Sequence, residues 1–263
     1  MFVAKGSKSQ TFEGKNFSIK ALSASALLQG LYAGKISFTN SSNTTPASLI
    51  NDLITSYGFT SVWDLTPSWT LAPNQFSVQN KSPIDAVATV ANSIGAIIEP
   101  DLLTKTITIK PWCENNPWQW DNLTGLPEVD ANLSYQVSED YSPQAQANAI
   151  YVTGQENGVA TKCVINGTAG DVLLPSVSDP LITDTIAAGE RGRIELSKSG
   201  HKENVPLTSF IDENETLLMP GNMITINNTQ AQPWNGMVTE TSISVSNQGV
   251  EVYQTLSVLR HYS

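Results

Sequence analysis

Apolar residues recur along this chain with two different periods, and each period predicts a different element. In SPIDAVATVANSIGAIIEP, which opens at Ser82, the residues Ile84, Val87, Ala91 and Ile94 fall on one face of a helix. Ser82 stands before Pro83 as an N-cap, Asp85 takes the acidic third position, and Gly95 is placed to end the helix. TPASLINDLITSYGF repeats the arrangement. Thr45-Pro46 opens it, Leu49, Ile50, Leu53, Ile54 and Tyr57 form the stripe, and Gly58 closes it at the same distance from its cap. The outward positions Asn51, Thr55, Thr89 and Asn92 carry uncharged polar groups. Such groups shed water at lower cost than Lys or Glu, as a protein contact requires.

A period of two marks the rest. TFEGKNFSIKAL predicts a hairpin turning at Gly14-Lys15-Asn16, and GKISFT a short strand. Phe76-Ser77-Val78 alternates, AIIE follows Gly95, and TITIKP places Ile107 and Ile109 on one face. These elements divide the first half into a β-hairpin segment over 1–42 and a compact α+β module of two helix–strand units over 43–112. CENNPWQWDNLTGLPEVD, 113–130, reads as a connecting loop rich in Pro, Asn and Trp.

Residues 131–263 predict a β-barrel-like domain with one inserted helix. NAIYVTG and VATKCVING flank an Asn157-Gly158 turn, and ENVPLTSFI and LMPGNMITIN follow, the latter turning at Pro220-Gly221. GMVTETSISVS and GVEVYQTLSVLR are long alternating strands joined around Asn247-Gln248-Gly249. The helix is expected over 179–200, with Asp179 as cap, Pro180 at its first position and Gly200 at its end. Within it Gly189 and Gly192 each cost about 1 kcal/mol relative to Ala. Together with Ala187 and Ala188 they offer a small-residue face that another backbone can approach closely, a candidate subunit interface. The fold class expected is α+β, mostly β.

Composition agrees with many turns and large polar surfaces. Charged residues are 14% of the 263, about half the usual share, and Ser, Thr, Asn and Gln supply the polarity. A net charge of −10 with no Lys/Arg run lacks the electrostatic footprint of a nucleic-acid binder. Cys113 and Cys163 stand apart without a CxxC spacing and are expected as two thiols. The opening MFVAKGSKSQTFEGK has no apolar run of signal-peptide type, and no segment reaches the ~20 apolar residues of a membrane span. Asn-x-Ser/Thr triplets at Asn122, Asn166 and Asn214 are what such a composition produces by chance.

Candidate chemistry is sparse. His201 and His261 have no metal-ligand spacing and read as surface or turn residues, so no metal or cofactor is expected. GERGR lies inside the predicted helix and follows no strand, unlike a phosphate loop, and no G-x-S-x-G elbow occurs. The acid pairs Glu139-Asp140, Asp212-Glu213-Glu215 and Glu99-Asp101 fall at turns and strand ends, where carboxylates are solvated. No catalytic residue is assigned. Trp112, Trp118 and Trp120, with Trp63 and Trp69 upstream, admit two readings: a platform for stacking on sugar rings, or anchors that pin a loop or fill an interface.

The order of these motifs resembles the baseplate-hub, or central tail-hub, proteins of tailed bacteriophages and prophages. The residues that carry the resemblance are Trp69-x-Leu71-x-Pro73, the helix start Ser82-Pro83-Ile84-Asp85-Ala86 and the strand ending in Lys110-Pro111. DPLITDTIAAGERGRIEL, LLMPGNMITI and GMVTETSISVS are similar to the helix and closing strands of that family's second barrel. Its members carry a further barrel ahead of the stretch matching 1–40, so the match here starts inside that barrel. The resemblance implies a structural protein of the virion tail, assembled in the host bacterial cytoplasm. Its copies would form a homotrimeric ring joining the tail tube to the spike or tip and lining the DNA exit channel. It implies no enzymatic activity, and the acidic charge would keep DNA from adhering to the bore. A tail-borne carbohydrate-binding module built on the Trp-rich loop is the alternative, and a cell-wall hydrolase a further one.

Overall fold

The computed structural model of the protein describes residues 2–11, 14–101, 104–130, 140–142, 146–154, 158–211, 217–228, 231–245 and 252–262. They form two compact units. The first comprises Met1–Trp112, Ile150–Val164 and Pro175–Ile194, the second Cys113–Ala149, Ile165–Leu174 and Glu195–Ser263. Residues 150–164 and 175–194, which the sequence groups with 131–263, thus belong with the α+β module.

The first unit opens with an antiparallel hairpin of β1 (Phe2–Thr11) and β2 (Gly14–Leu22). Thr11 pairs with Gly14, so the chain reverses before the predicted Gly14-Lys15-Asn16 turn. A 3₁₀ turn (Ala24–Leu28), the short helix α1 (Gly30–Ala33) and β3 (Ile36–Thr39) follow. The two predicted helices are present as α2 (Pro46–Ile54) and α3 (Pro83–Ser93). Their caps form as the sequence requires. Thr45 Oγ1 accepts from the Ser48 N–H at 3.2 Å, and Ser82 Oγ from the Asp85 N–H at 3.3 Å. Gly58 and Gly95 take left-handed φ values of 74° and 75°, which any side chain would strain.

Between and after the helices run β4 (Thr60–Trp63), β5 (Ser77–Lys81), β6 (Ile97–Pro100) and β7 (Thr106–Lys110). β3 and β5 pair antiparallel, while β7 lies between a parallel β4 and an antiparallel β6. Leu49, Ile50, Val87, Val90, Ile94, Ile107 and Ile109 are sealed in one core from these elements. Each such Val, Leu or Ile contributes about 1.5–3 kcal/mol by leaving water.

Past β7, the segment 113–130 is more ordered than the expected loop. It holds a 3₁₀ turn (Pro117–Asn122) and β8 (Glu128–Asp130), which pairs parallel to a later strand, and β9 (Asp140–Ser142) comes next. The chain then forms β10 (Ala149–Gly154), β11 (Ala160–Val164) and β12 (Val177–Asp179) as a three-stranded sheet in the order β11-β10-β12. Gly158 takes the left-handed conformation expected of its turn, while Asn157 lies outside the described residues.

The helix expected over 179–200 is α4 (Thr185–Ser197). Asp184, not Asp179, caps it: Asp184 Oδ1 accepts from the Ile186 N–H at 2.7 Å. Asp179 ends β12, and the carbonyls of Pro180 and Leu181 are taken by Gln75 Nε2 and Trp69 Nε1 at 2.6 and 2.7 Å. A helix over 180–184 would need the Leu181 carbonyl for its own ladder, so the start is delayed.

The second unit is one six-stranded sheet, β8-β14-β15-β16-β13-β9, built on β13 (His201–Ile211), β14 (Met223–Asn228), β15 (Ala231–Val245) and β16 (Val252–Tyr262). Among the described residues it is open, not the closed barrel that the alternation suggested, because β8 and β9 stand at opposite ends of the order. The fold class is nonetheless α+β, mostly β. Val205 and Leu207, Ile224 and Ile226, and Leu256 and Val258 alternate into one core face. The connection around Asn247-Gln248-Gly249 lies outside the described residues.

Candidate assembly surfaces

The predicted outward helix positions are polar and mostly self-satisfied. Asn51, Thr55 and Asn92 are exposed and Thr89 half-buried. Thr55 Oγ1 donates to the Asn51 carbonyl at 2.6 Å and Thr89 Oγ1 to that of Asp85 at 2.9 Å. Alongside α3 a shallow polar depression of about 400 Å³ is bounded by Gly30, Lys81, Asp85 and Asn92. Lys81 Nζ donates to Thr89 Oγ1 there at 3.2 Å. The acid there, Asp85, is exposed, and the buried Ser82 hydroxyl donates to it.

The small-residue face of α4 is used inside its own unit. Ala187 and Ala188 are fully buried, and Gly192 lies against Cys163 of β11, whose Sγ sits 3.7 Å from the carbonyls of both Ala188 and Gly189. The close approach that these residues permit is therefore made by the chain itself. Gly189 has open space where a side chain would go, and Ile186, one turn earlier, is 68% exposed.

Arg191 of α4 reaches α3, donating from Nη1 to the carbonyls of Asn92 and Ser93, the latter at 2.8 Å. Those carbonyls end α3, so the guanidinium caps them and opposes the negative end of the helix dipole. With the Trp69 and Gln75 bonds, and Thr183 Oγ1 donating to the Thr70 carbonyl at 2.7 Å, this fastens residues 180–191 to the module.

Trp120 is closed to stacking by a ligand. Trp120 is 1% exposed, edge-on to His261 with ring centroids 6.3 Å apart. Its Nε1 donates to the Asn115 carbonyl at 2.9 Å, and its own carbonyl accepts from Asn235 Nδ2 at 2.7 Å. It is an anchor, with no face left for a sugar. Trp112 and Trp118 are half-buried. Upstream, Trp63 and Trp69 meet edge to face at 5.9 Å.

His261 is not the surface residue that its sequence position suggested. It is 5% exposed in β16, with Nε2 3.2 Å from the Ser199 carbonyl and no partner at Nδ1. Burial holds its imidazole below the ordinary value; the bond to the Ser199 carbonyl and Asp121 oppose this, while Lys202 and His201 add to the depression. His201 is half-buried in β13. Lys202 is pushed down to about 8 by burial and by Lys198. Nearby in the same sheet, Glu203 is buried, accepts from the Tyr262 hydroxyl, and lies 3.8 Å from Arg260 Nη1. The Arg260 guanidinium sits over Trp234 and Tyr262, 4.8 and 4.6 Å from the ring centres. These are structural pegs of the sheet.

Among the described residues no group of His, Cys, Asp and Glu is placed to hold a metal ion, and no helix is long and apolar enough to cross a membrane. Of the acid pairs, Glu99 is bridged to Lys110 at 2.9 Å, and Asp101 Oδ1 accepts from the Thr104 N–H at 2.6 Å. Glu139 and 212–216 lie outside the described residues. Cys113 and Cys163 are not joined in a disulfide, and burial raises the Cys163 thiol.

Charge is unevenly divided between the two units. The first unit contains 11 Lys/Arg and 10 Asp/Glu, the second 3 and 14, so their net charges are +1 and −11. Residues 150–164 and 175–194 contribute only −1 to the first unit, so the imbalance lies between 1–112 and the remainder of the chain and is already present in the linear order.

No protein-family model and no curated protein matches the sequence. Solved structures match it in fold. The tail protein from Neisseria meningitidis MC58 does so with a TM-score of 0.63 over 98% of this chain and 78% of its own, at 9% identity. The 43 kDa tail protein of prophage MuSo2 from Shewanella oneidensis gives 0.59 over 98% and 78%, at 14% identity. The E. coli c3393 protein, described as a component of the type VI secretion system with structural similarity to the T4 bacteriophage tail proteins gp27 and gp5, gives 0.53 over 99% and 60%, at 12% identity. What persists at such identities is the course of the backbone, and in that respect this chain has the fold of phage and prophage tail proteins.

Proposed function

We propose that this protein is a structural part of a phage-type tail: a baseplate or tail-tip hub whose copies close into a homotrimeric ring. The ring would join the tail tube to the spike or tip and surround the channel through which DNA leaves, placing the protein in the virion tail. The observation that carries this reading is a likeness to tail proteins running over 98% of the chain rather than over one module. Physical features support it. The described surface offers open sheet edges and uncharged polar helix faces, which suit contacts between subunits. A net charge of −10 suits a wall past which a polyanion slides. On α4, Ile186 and Gly189 are the positions left for a neighbouring subunit. Mass photometry of the full chain, followed by electron microscopy of the purified oligomer, tests the proposal. Trimers with a threefold axis and an axial opening are expected. A monomer at every concentration, with no density for the chain in tail particles, would reject it.

A further inference from the structure

The charge partition singles out one segment. Residues 1–22 contain Lys5, Lys8, Lys15 and Lys20 against Glu13, a net charge of +3 within a unit whose total is only +1. That segment is the β1–β2 hairpin, and among the described residues its sheet stays two-stranded. A lone two-stranded hairpin is marginally stable in water. Its register also sets Lys5 directly opposite Lys20, and like charges at opposed positions weaken a strand pair further. Both handicaps are relieved by an anionic surface with a free strand edge.

Among the described residues the second unit offers such a surface. β8 is the outermost strand of the open sheet, bonded on one side to β14. Val129 points into the core, while Glu128 and Asp130 on either side of it are exposed. Exposed Glu114 and Asp121 stand in the same 113–130 segment. Acids along an edge repel a second acidic edge and leave it open to a basic one.

We propose that the hairpin of one copy docks along the β8 edge of a second copy, basic strand against acidic strand. This rests on the reading of the protein as a self-assembling ring. The occupant is another copy of this chain because the two surfaces are complementary to each other and repulsive to themselves. Hairpin against hairpin brings Lys to Lys, and β8 against β8 brings acid to acid. Only the unlike contact is attractive, and made head to tail it is heterologous, the kind of contact that propagates round a ring. The hub reading requires a ring but does not say which surfaces close it, and this inference names them.

The test uses charge exchange in the full chain. One variant carries Lys5→Glu, Lys8→Glu, Lys15→Glu and Lys20→Glu; the other carries Glu128→Lys and Asp130→Lys. Sedimentation velocity is expected to show that each alone loses the wild-type oligomer, and that mixing the two restores association between unlike variants. Recovery on mixing also excludes misfolding as the cause of the loss. Wild-type association is expected to weaken about tenfold or more between 50 and 500 mM NaCl, which needs no variant. If the variants assemble like wild type, or wild-type association is indifferent to salt, the inference fails while the ring survives. Impairment that mixing does not repair places the charges within one chain and also overturns it. A wild-type chain that never self-associates defeats both the inference and the ring.

Discussion

Two glycines one turn apart on α4 predict opposite responses to the same substitution. Replacing Gly by Ala inside a helix gains about 0.8–1.0 kcal/mol from intrinsic propensity alone. At Gly189 nothing lies within 4 Å of the added methyl, so Gly189→Ala is expected to keep the full gain. For a unit of this size that raises the midpoint of thermal unfolding by about 2–4 °C. At Gly192 the added Cβ would meet Cys163 Sγ, with Cys163 Cβ at 2.7 Å and Ile150 Cγ2 at 3.2 Å. Those atoms belong to β11 and β10, which are fixed in a sheet and cannot retreat as a surface side chain would. Overpacking of that kind costs about 1–3 kcal/mol or more, which outweighs the propensity gain. Gly192→Ala is therefore expected to destabilise by up to about 2 kcal/mol net. Paired urea titrations, followed by helical circular dichroism, measure the difference. Two substitutions of equal sign would refute the packing of α4 on β11.

Three further outcomes follow from the contacts. Arg191→Ala removes the donor that caps the carbonyls of Asn92 and Ser93, and is expected to lower stability by about 1–3 kcal/mol in denaturant titrations; Arg191→Lys, lacking the planar fork, should recover only part of it. Trp120→Ala is expected to cost about 3–5 kcal/mol as a buried aromatic is lost, and Trp118→Ala much less; equal costs in calorimetry would contradict the placement of Trp120. For His261, the folded state holds the imidazole neutral below its ordinary value, so the unfolded chain takes up the extra proton first as pH falls. Stability of the second unit is complete above about pH 6.5 and declines on acidification toward the depressed folded value. His261→Phe should flatten that decline, read from unfolding monitored by Trp120 emission, and a decline unchanged in the variant would assign it to other groups.

Local order was written in the chain. The stripes and caps of α2 and α3, their closing glycines, and the alternation of β7, β13, β15 and β16 are set by neighbours within a few residues. Backbone sterics and burial periodicity act at that range, so these elements were legible from the sequence. What the sequence left open was partnership. Nothing near Leu181 says that its carbonyl will meet Trp69, and that one long-range bond helps move the start of α4 from 180 to 185. Trp118 and Trp120 share a single turn, yet only Trp120 is buried, because Asn235 and His261 come from distant strands to cover it. β8 is too short to declare itself and exists through its pairing with β14. Periodicity tells a segment which of its faces must leave water; which surface covers that face is chosen by packing among segments far apart in the chain, and only the folded structure contains that choice.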